Sequence, residues 1–180
     1  LPGSGTLYDL GAHLIDQALC LFGTPESVWG DVRAQRPGAQ VDDYFHLVLG
    51  YGRRRVILHA GSLVRETPPR FQLHGSKGSF IKYGLDPQED QLKAGMRPGD
   101  AGWGEDDPAM YGELTIDVGE LAVKGKVTTL GGHYEAYYQG IVEAITQGSP
   151  APVAPEDARN TIQVIECALQ SQQEQRVVAF

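Results

Sequence analysis

The chain has 180 residues, 41% hydrophobic and 21% charged, the balance of a globular domain long enough to bury a real core. Its 15 basic and 23 acidic residues leave a formal net charge of −8, which argues against nucleic-acid or anionic-membrane binding through bulk charge. No apolar run approaches the roughly 20 residues that span a bilayer, and two cysteines far apart in sequence, Cys20 and Cys167, suggest reduced thiols in a cytoplasmic protein.

The first stretch, residues 3–23, reads as one amphipathic helix. Leu7, Leu10, Leu14, Ala18 and Leu21 recur at three- and four-residue steps, the spacing of a buried stripe. Thr6 or Ser4 offers an N-cap, and Gly23 followed by Pro25 a stop. At about 100° per residue, Asp9, His13 and Asp16 share a second stripe. Asp9 and His13 are one turn apart, so their side chains can touch. A carboxylate beside an imidazole can set the ring's tautomer and suits proton transfer near neutral pH. A solvated polar face, or a buried histidine satisfied by aspartate, would show the same spacing. No HExxH-like or paired-cysteine pattern accompanies these residues, so no metal is expected.

Strands are expected at residues 27–36, 41–50 and 54–62, the last two joined as a hairpin by Tyr51-Gly52-Arg53. Two more, at 70–74 and 79–83, flank the turn Gly75-Ser76-Lys77-Gly78. Residues 84–108 read as a long loop with one short helical turn near 86–92, and long loops are often functional. Strands at 112–118 and 121–129 follow. A helix over 134–146 carries Tyr134, Tyr137, Tyr138, Ile141, Ala144 and Ile145 at helical spacing, with Tyr137 and Tyr138 as core or interface aromatics. A helix over 155–173 opens with Pro155, Glu156 and Asp157 and has Ala158, Ile162, Ile165 and Leu169 as its stripe. Residues 177–180 form a last edge strand.

A helix, a run of strands and two more helices give an α+β fold, a largely antiparallel open-faced sheet with helices packed on one face. Tyr44, His46, Arg33 and Arg55 are candidates for the other face, and an uncovered face often meets a partner. Gly3-Ser4-Gly5-Thr6-Leu7-Tyr8 is a near miss to a dinucleotide fingerprint: no strand precedes it, and Tyr8 stands where the third glycine belongs. Gly75-x-x-Gly78 is too short for a phosphate loop. The chain therefore carries no dinucleotide site of its own. His133, after Gly131-Gly132, is either a helix-capping loop residue or a pocket residue. His46, His59 and His74 sit on strands as structural residues, and Lys82 faces the polar side of its strand.

The run Gly5-x-x-Tyr8-Asp9-Leu10-Gly11-x-His13-x-x-Asp16 resembles the signature helix of the Gfo/Idh/MocA oxidoreductases, NAD- or NADP-dependent sugar and polyol dehydrogenases. The strand–Gly-Ser-Lys-Gly-Ser-Phe–strand order is similar to the family's sheet. Gly84-Leu85-Asp86-x-Gln88-Glu89 and Trp103-Gly104 resemble a bacterial branch that includes scyllo-inositol dehydrogenases. The resemblance implies a C-terminal domain, residues 1–180, that starts at Leu1 as a fragment of a two-domain parent. The family's Rossmann domain and its Glu-Lys-Pro lysine would lie outside the chain, and NAD or NADP would bind there. It also implies that Asp9 and His13 are catalytic, that Asp9, His13 and His133 bind a sugar or inositol-like polyol, and that the parent is an enzyme while this chain alone is inactive. A homodimer or tetramer joined through the sheet face is the implied assembly. A non-catalytic binding or scaffold module of the same fold is the alternative, and reading the residues upstream of Leu1 would separate the two.

Overall fold

The strands divide between two antiparallel four-stranded sheets in the computed structural model, which describes residues 3–180; Leu1 and Pro2 lie outside the described residues. The chain forms two compact units, Leu1–Arg65 with Val153–Phe180, and Glu66–Pro152.

The first unit carries β1 (Ser27–Arg33), β2 (Tyr44–Tyr51), β3 (Arg54–Gly61) and β8 (Val178–Ala179), in the order β3-β2-β1-β8. Register follows the two-residue period. Val28, Leu49 and Val56 lie in one row across the sheet, and Gly30, Leu47 and Leu58 in the next. These rows face α1 (Ala12–Phe22) and α4 (Pro155–Glu174), and Phe45, Leu47, Leu49, Val28, Val164 and Ile165 are fully buried in one cluster. Each such side chain contributes about 1.5–3 kcal/mol of burial. Residues 177–180 do form an edge strand, but only Val178 and Ala179 pair with β1. Beyond Val28, the N–H groups of Gly30 and Val32 donate instead to Ser171 Oγ (3.1 Å) and Gln172 Oε1 (3.2 Å) of α4.

Both helix stripes of this unit differ from their expected phase. In the first helix the buried positions are Leu7, Gly11, Ile15 and Ala18, while Leu10 (49%) and Leu21 (60%) are exposed. The cause is a π-turn over Leu7–Gly11, which widens the first turn and moves the inward step from three residues to four. In α4 the stripe runs through Thr161, Val164, Ile165, Ala168 and Ser171, leaving Ile162 and Leu169 partly exposed. Thr161 and Ser171 can be buried because their hydroxyls donate to the carbonyls of Asp157 and Arg176.

The second unit holds β4 (Phe71–Gly75), β5 (Gly78–Lys82), β6 (Gly112–Val118) and β7 (Leu121–Val127), paired in chain order. Every residue of the edge strand β7 is exposed. The unit also contains α2 (Gln88–Lys93) and α3 (Tyr134–Gln147). No residue of α3 is buried, and Tyr137 (48%) and Tyr138 (69%) are surface rings stacked edge-on, not core aromatics. Lys82 forms a largely buried ion pair, its Nζ lying 2.6 Å from Asp106 Oδ2 and 3.0 Å from the Met110 carbonyl.

Candidate functional site

The signature helix is held from outside itself. Thr6 makes no side-chain cap. Asp42, just before β2, accepts from the N–H of Thr6 at its carbonyl (2.9 Å) and from the N–H of Leu7 at its carboxylate (2.7 Å). A carboxylate there satisfies orphan donors at the positive end of the helix. Gly5 is needed for the approach. Its φ is +106°, and a Cβ would lie within 2.1 Å of the Asp42 carboxylate.

Past this anchor, Leu7 and Ile15 lock one side of the helix into the core, and Asp9, His13 and Asp16 stand exposed on the surface. Asp9 and His13 remain one turn apart, yet no hydrogen bond or ion pair joins their side chains among the contacts of the described residues. Both groups are free to meet a ligand.

His133 precedes α3 in the second unit. Its side chain makes no cap to the helix and is exposed. The loop around it is tied down by residues 84–104. Gln88, only 1% exposed, accepts from the Tyr134 N–H at Oε1 (2.8 Å) and donates from Nε2 to Asp86 Oδ1 (2.9 Å). It serves as the missing cap from 46 residues away. Gln91 accepts from the Gly104 N–H (2.8 Å), and the Gly132 N–H donates to the Gly104 carbonyl (2.9 Å). Only glycine fits at 132, where a Cβ would collide with Asp86 and Gln88.

The Trp103 indole N–H donates to Glu135 Oε2 (3.1 Å), and Glu135 Oε1 lies 3.6 Å from His133 Nε2. The Glu135 carboxyl is held below its ordinary range. Its own backbone N–H is the largest cause, and Trp103 and His133 add to it against desolvation. Sequence reading had singled out the Gln88 and Trp103 motifs only as a branch likeness and missed Glu135. The available signal was an acidic residue in the first turn of the helix that His133 opens.

The model of the oxidoreductase family's C-terminal alpha/beta domain, Gfo/Idh/MocA, matches residues 1–180. The chain belongs to the Gfo/Idh/MocA oxidoreductase family. It is 47% identical over 175 residues to the scyllo-inositol 2-dehydrogenase (NADP(+)) IolW of Bacillus subtilis (strain 168), a match covering 97% of this chain and 49% of that protein. The solved structure of yvaA from Bacillus subtilis matches with a TM-score of 0.96 at 46% identity, over 100% of this chain and 52% of the other. An oxidoreductase from Bacillus cereus matches with a TM-score of 0.88 at 35% identity, over 100% of this chain and 54% of that one. The chain thus spans about half the length of the relatives it matches. The α+β architecture expected from the sequence is that of the family's C-terminal domain.

Among the described residues, no helix is long and apolar enough to cross a membrane. Cys20, exposed, and Cys167, buried, are free thiols.

Proposed function

We propose that this chain is the substrate-binding and assembly domain of a cytoplasmic NAD(P)-dependent oxidoreductase that acts on a sugar or inositol-like polyol hydroxyl. The observation that carries the reading is the signature helix: it is anchored at its start by Asp42 and along one side by the core, with Asp9 and His13 exposed one turn apart. The name of the IolW relative supports a polyol as the substrate class. In this reading His13 takes the proton from the hydroxyl being oxidised and returns it in the reverse direction, while Asp9 orients the imidazole or holds a neighbouring hydroxyl. His133 is a further substrate-binding candidate, by the family resemblance alone. The dinucleotide supplies the hydride acceptor when bound, and no residue of this chain is assigned to it. Assembly as a dimer or tetramer through the free face of the β3-β2-β1-β8 sheet belongs to the same reading. A non-catalytic binding module is the alternative, favoured by the lack of a direct Asp9–His13 bond.

The test is His13→Ala in the natural full-length enzyme. Turnover of a polyol substrate is expected to fall by about 10² or more, the scale of a lost general acid–base group. Stability should change little, because the side chain is exposed. Retained turnover with lost stability would overturn the reading.

A further inference from the structure

We infer that Glu135 is a positioning residue for His133, its carboxylate fixed by the Trp103 indole so that the imidazole is presented to a hydroxyl of the bound polyol in one tautomer. This rests on the proposal that His133 contacts substrate. It goes further in naming what holds the ring.

Three observations converge. Glu135 is two residues into α3, and its carboxylate uses one oxygen for the indole N–H and turns the other towards His133 Nε2. The indole cannot drift, since Trp103 is only 9% exposed and its neighbour Gly104 is tied to both Gln91 and Gly132. The peptide carrying His133 is fixed as well, because the next N–H is taken by the buried Gln88. Backbone, carboxylate and indole are therefore all ordered around a histidine whose own ring is exposed and spends no bond on the fold.

The chemistry follows from the geometry. A carboxylate facing Nε2 favours the neutral tautomer with its proton on that nitrogen, which leaves Nδ1 as an acceptor for a substrate O–H. At 3.6 Å the carboxylate is beyond a formed hydrogen bond. Such contacts often tighten only when substrate is bound. Glu135 thus acts through His133 and on binding, with no part in the proton transfer assigned to His13.

The experiment uses the natural full-length enzyme with a polyol substrate and compares Glu135→Gln, Trp103→Phe, His133→Ala and the Glu135→Gln/His133→Ala double variant. Glu135→Gln keeps an acceptor for the indole but removes the charge, and Trp103→Phe keeps the ring but removes its N–H. The expected result is a KM raised about tenfold by Glu135→Gln and less by Trp103→Phe, with kcat within about twofold, a loss of uniform substrate binding. The double variant should bind no worse than His133→Ala alone, since coupled residues are not additive. Long-range 1H–15N spectra should show the His133 tautomer balance shifting in Glu135→Gln, a change that a merely structural carboxylate would not cause. If His133→Ala raises KM but Glu135→Gln moves neither KM nor the tautomer, the positioning role is wrong and the assignment of His133 stands. If His133→Ala leaves KM unchanged, the assignment of His133 fails, and the positioning role falls with it.

Discussion

Asp43 is the side chain on which the approach to β2 depends. It is 1% exposed and accepts from the N–H of Gln35 (2.6 Å), the N–H of Arg36 (3.1 Å) and the Arg36 guanidinium (2.7 Å). Its own carbonyl accepts from Ser62. The Gln35 bond above all, then Arg36, holds its carboxyl below the ordinary value of 3.8, against the desolvation that would raise it. The sign of the linkage is fixed by that depression. The unfolded chain binds the proton more readily, so the stabilisation is fully present above the unfolded pKa and is lost as pH falls through the folded one. Acid unfolding monitored by circular dichroism should therefore begin near pH 4 in the natural chain. Asp43→Asn should be less stable at neutral pH and flatter in its response to acid. An unchanged acid limb in Asp43→Asn would show that other carboxylates control it. Asp42, one position earlier, has a different task, and only the fold separates the two: sequence reads Asp42-Asp43 as the polar start of a strand, whereas one caps the signature helix and the other ties the loop before β2.

At the scale of elements, the strands and helices were legible because each has a strong period. The alternation through Phe45, Leu47 and Leu49 marks β2, and Pro155-Glu156-Asp157 marks the start of α4. Phase was less legible than existence. The π-turn displaced Leu10 and Leu21 outward, and buried hydroxyls drew Thr161 and Ser171 inward where an apolar-only pattern would not place them. The candidate site shows the same division. Asp9 and His13 were visible from their spacing and the resemblance, but the Trp103–Glu135 bond spans 32 residues, which no local period can report. Gln88 is the sharpest case, a polar side chain buried for the sake of another element's N-terminus. Gln88→Leu keeps much of the volume but strands the Tyr134 N–H. It should cost about 1–3 kcal/mol, the penalty for a buried donor left unpaired. Denaturant midpoints measure the cost, and hydrogen exchange at the Tyr134 amide locates it. Loss of stability without faster exchange at that amide would place the damage elsewhere.

For the whole molecule, the free face of the first sheet carries the argument for assembly. Its rows read Arg33 and Tyr44, then Asp31, His46 and His59, then Trp29, Val48 and Ile57. Trp29 (37%) and Ile57 (60%) are exposed, and the rings of Trp29, His46, His59 and Tyr44 stand edge-on or tilted at 5.3–6.1 Å from one to the next. An aromatic and aliphatic patch rimmed by Arg33 and Arg55 is the composition of an interface centre with a polar rim. A two-fold pairing sets this patch against its own copy and needs no second partner surface. Light scattering at micromolar concentration is expected to give twice the chain mass of 19.5 kDa or a higher multiple, and Ile57→Lys to give the monomer mass. The same face supplies a pH dependence. His46 is held below its ordinary value of 6.5, first by burial and then by neighbouring His59, with Asp31 opposing both. Its neutral form is the one that the folded state favours. That stabilisation is fully present above about pH 6.5 and is lost as pH falls through the depressed value, when a cation must sit beside His59; with the face paired against a second copy, the same cation opposes the pairing. Dissociation should grow as pH drops from 7 towards 5, and His46→Phe should remove much of that dependence while keeping the dimer. A monomer at every pH, with Ile57→Lys indistinguishable from the natural chain, would reject the sheet face as the assembly surface.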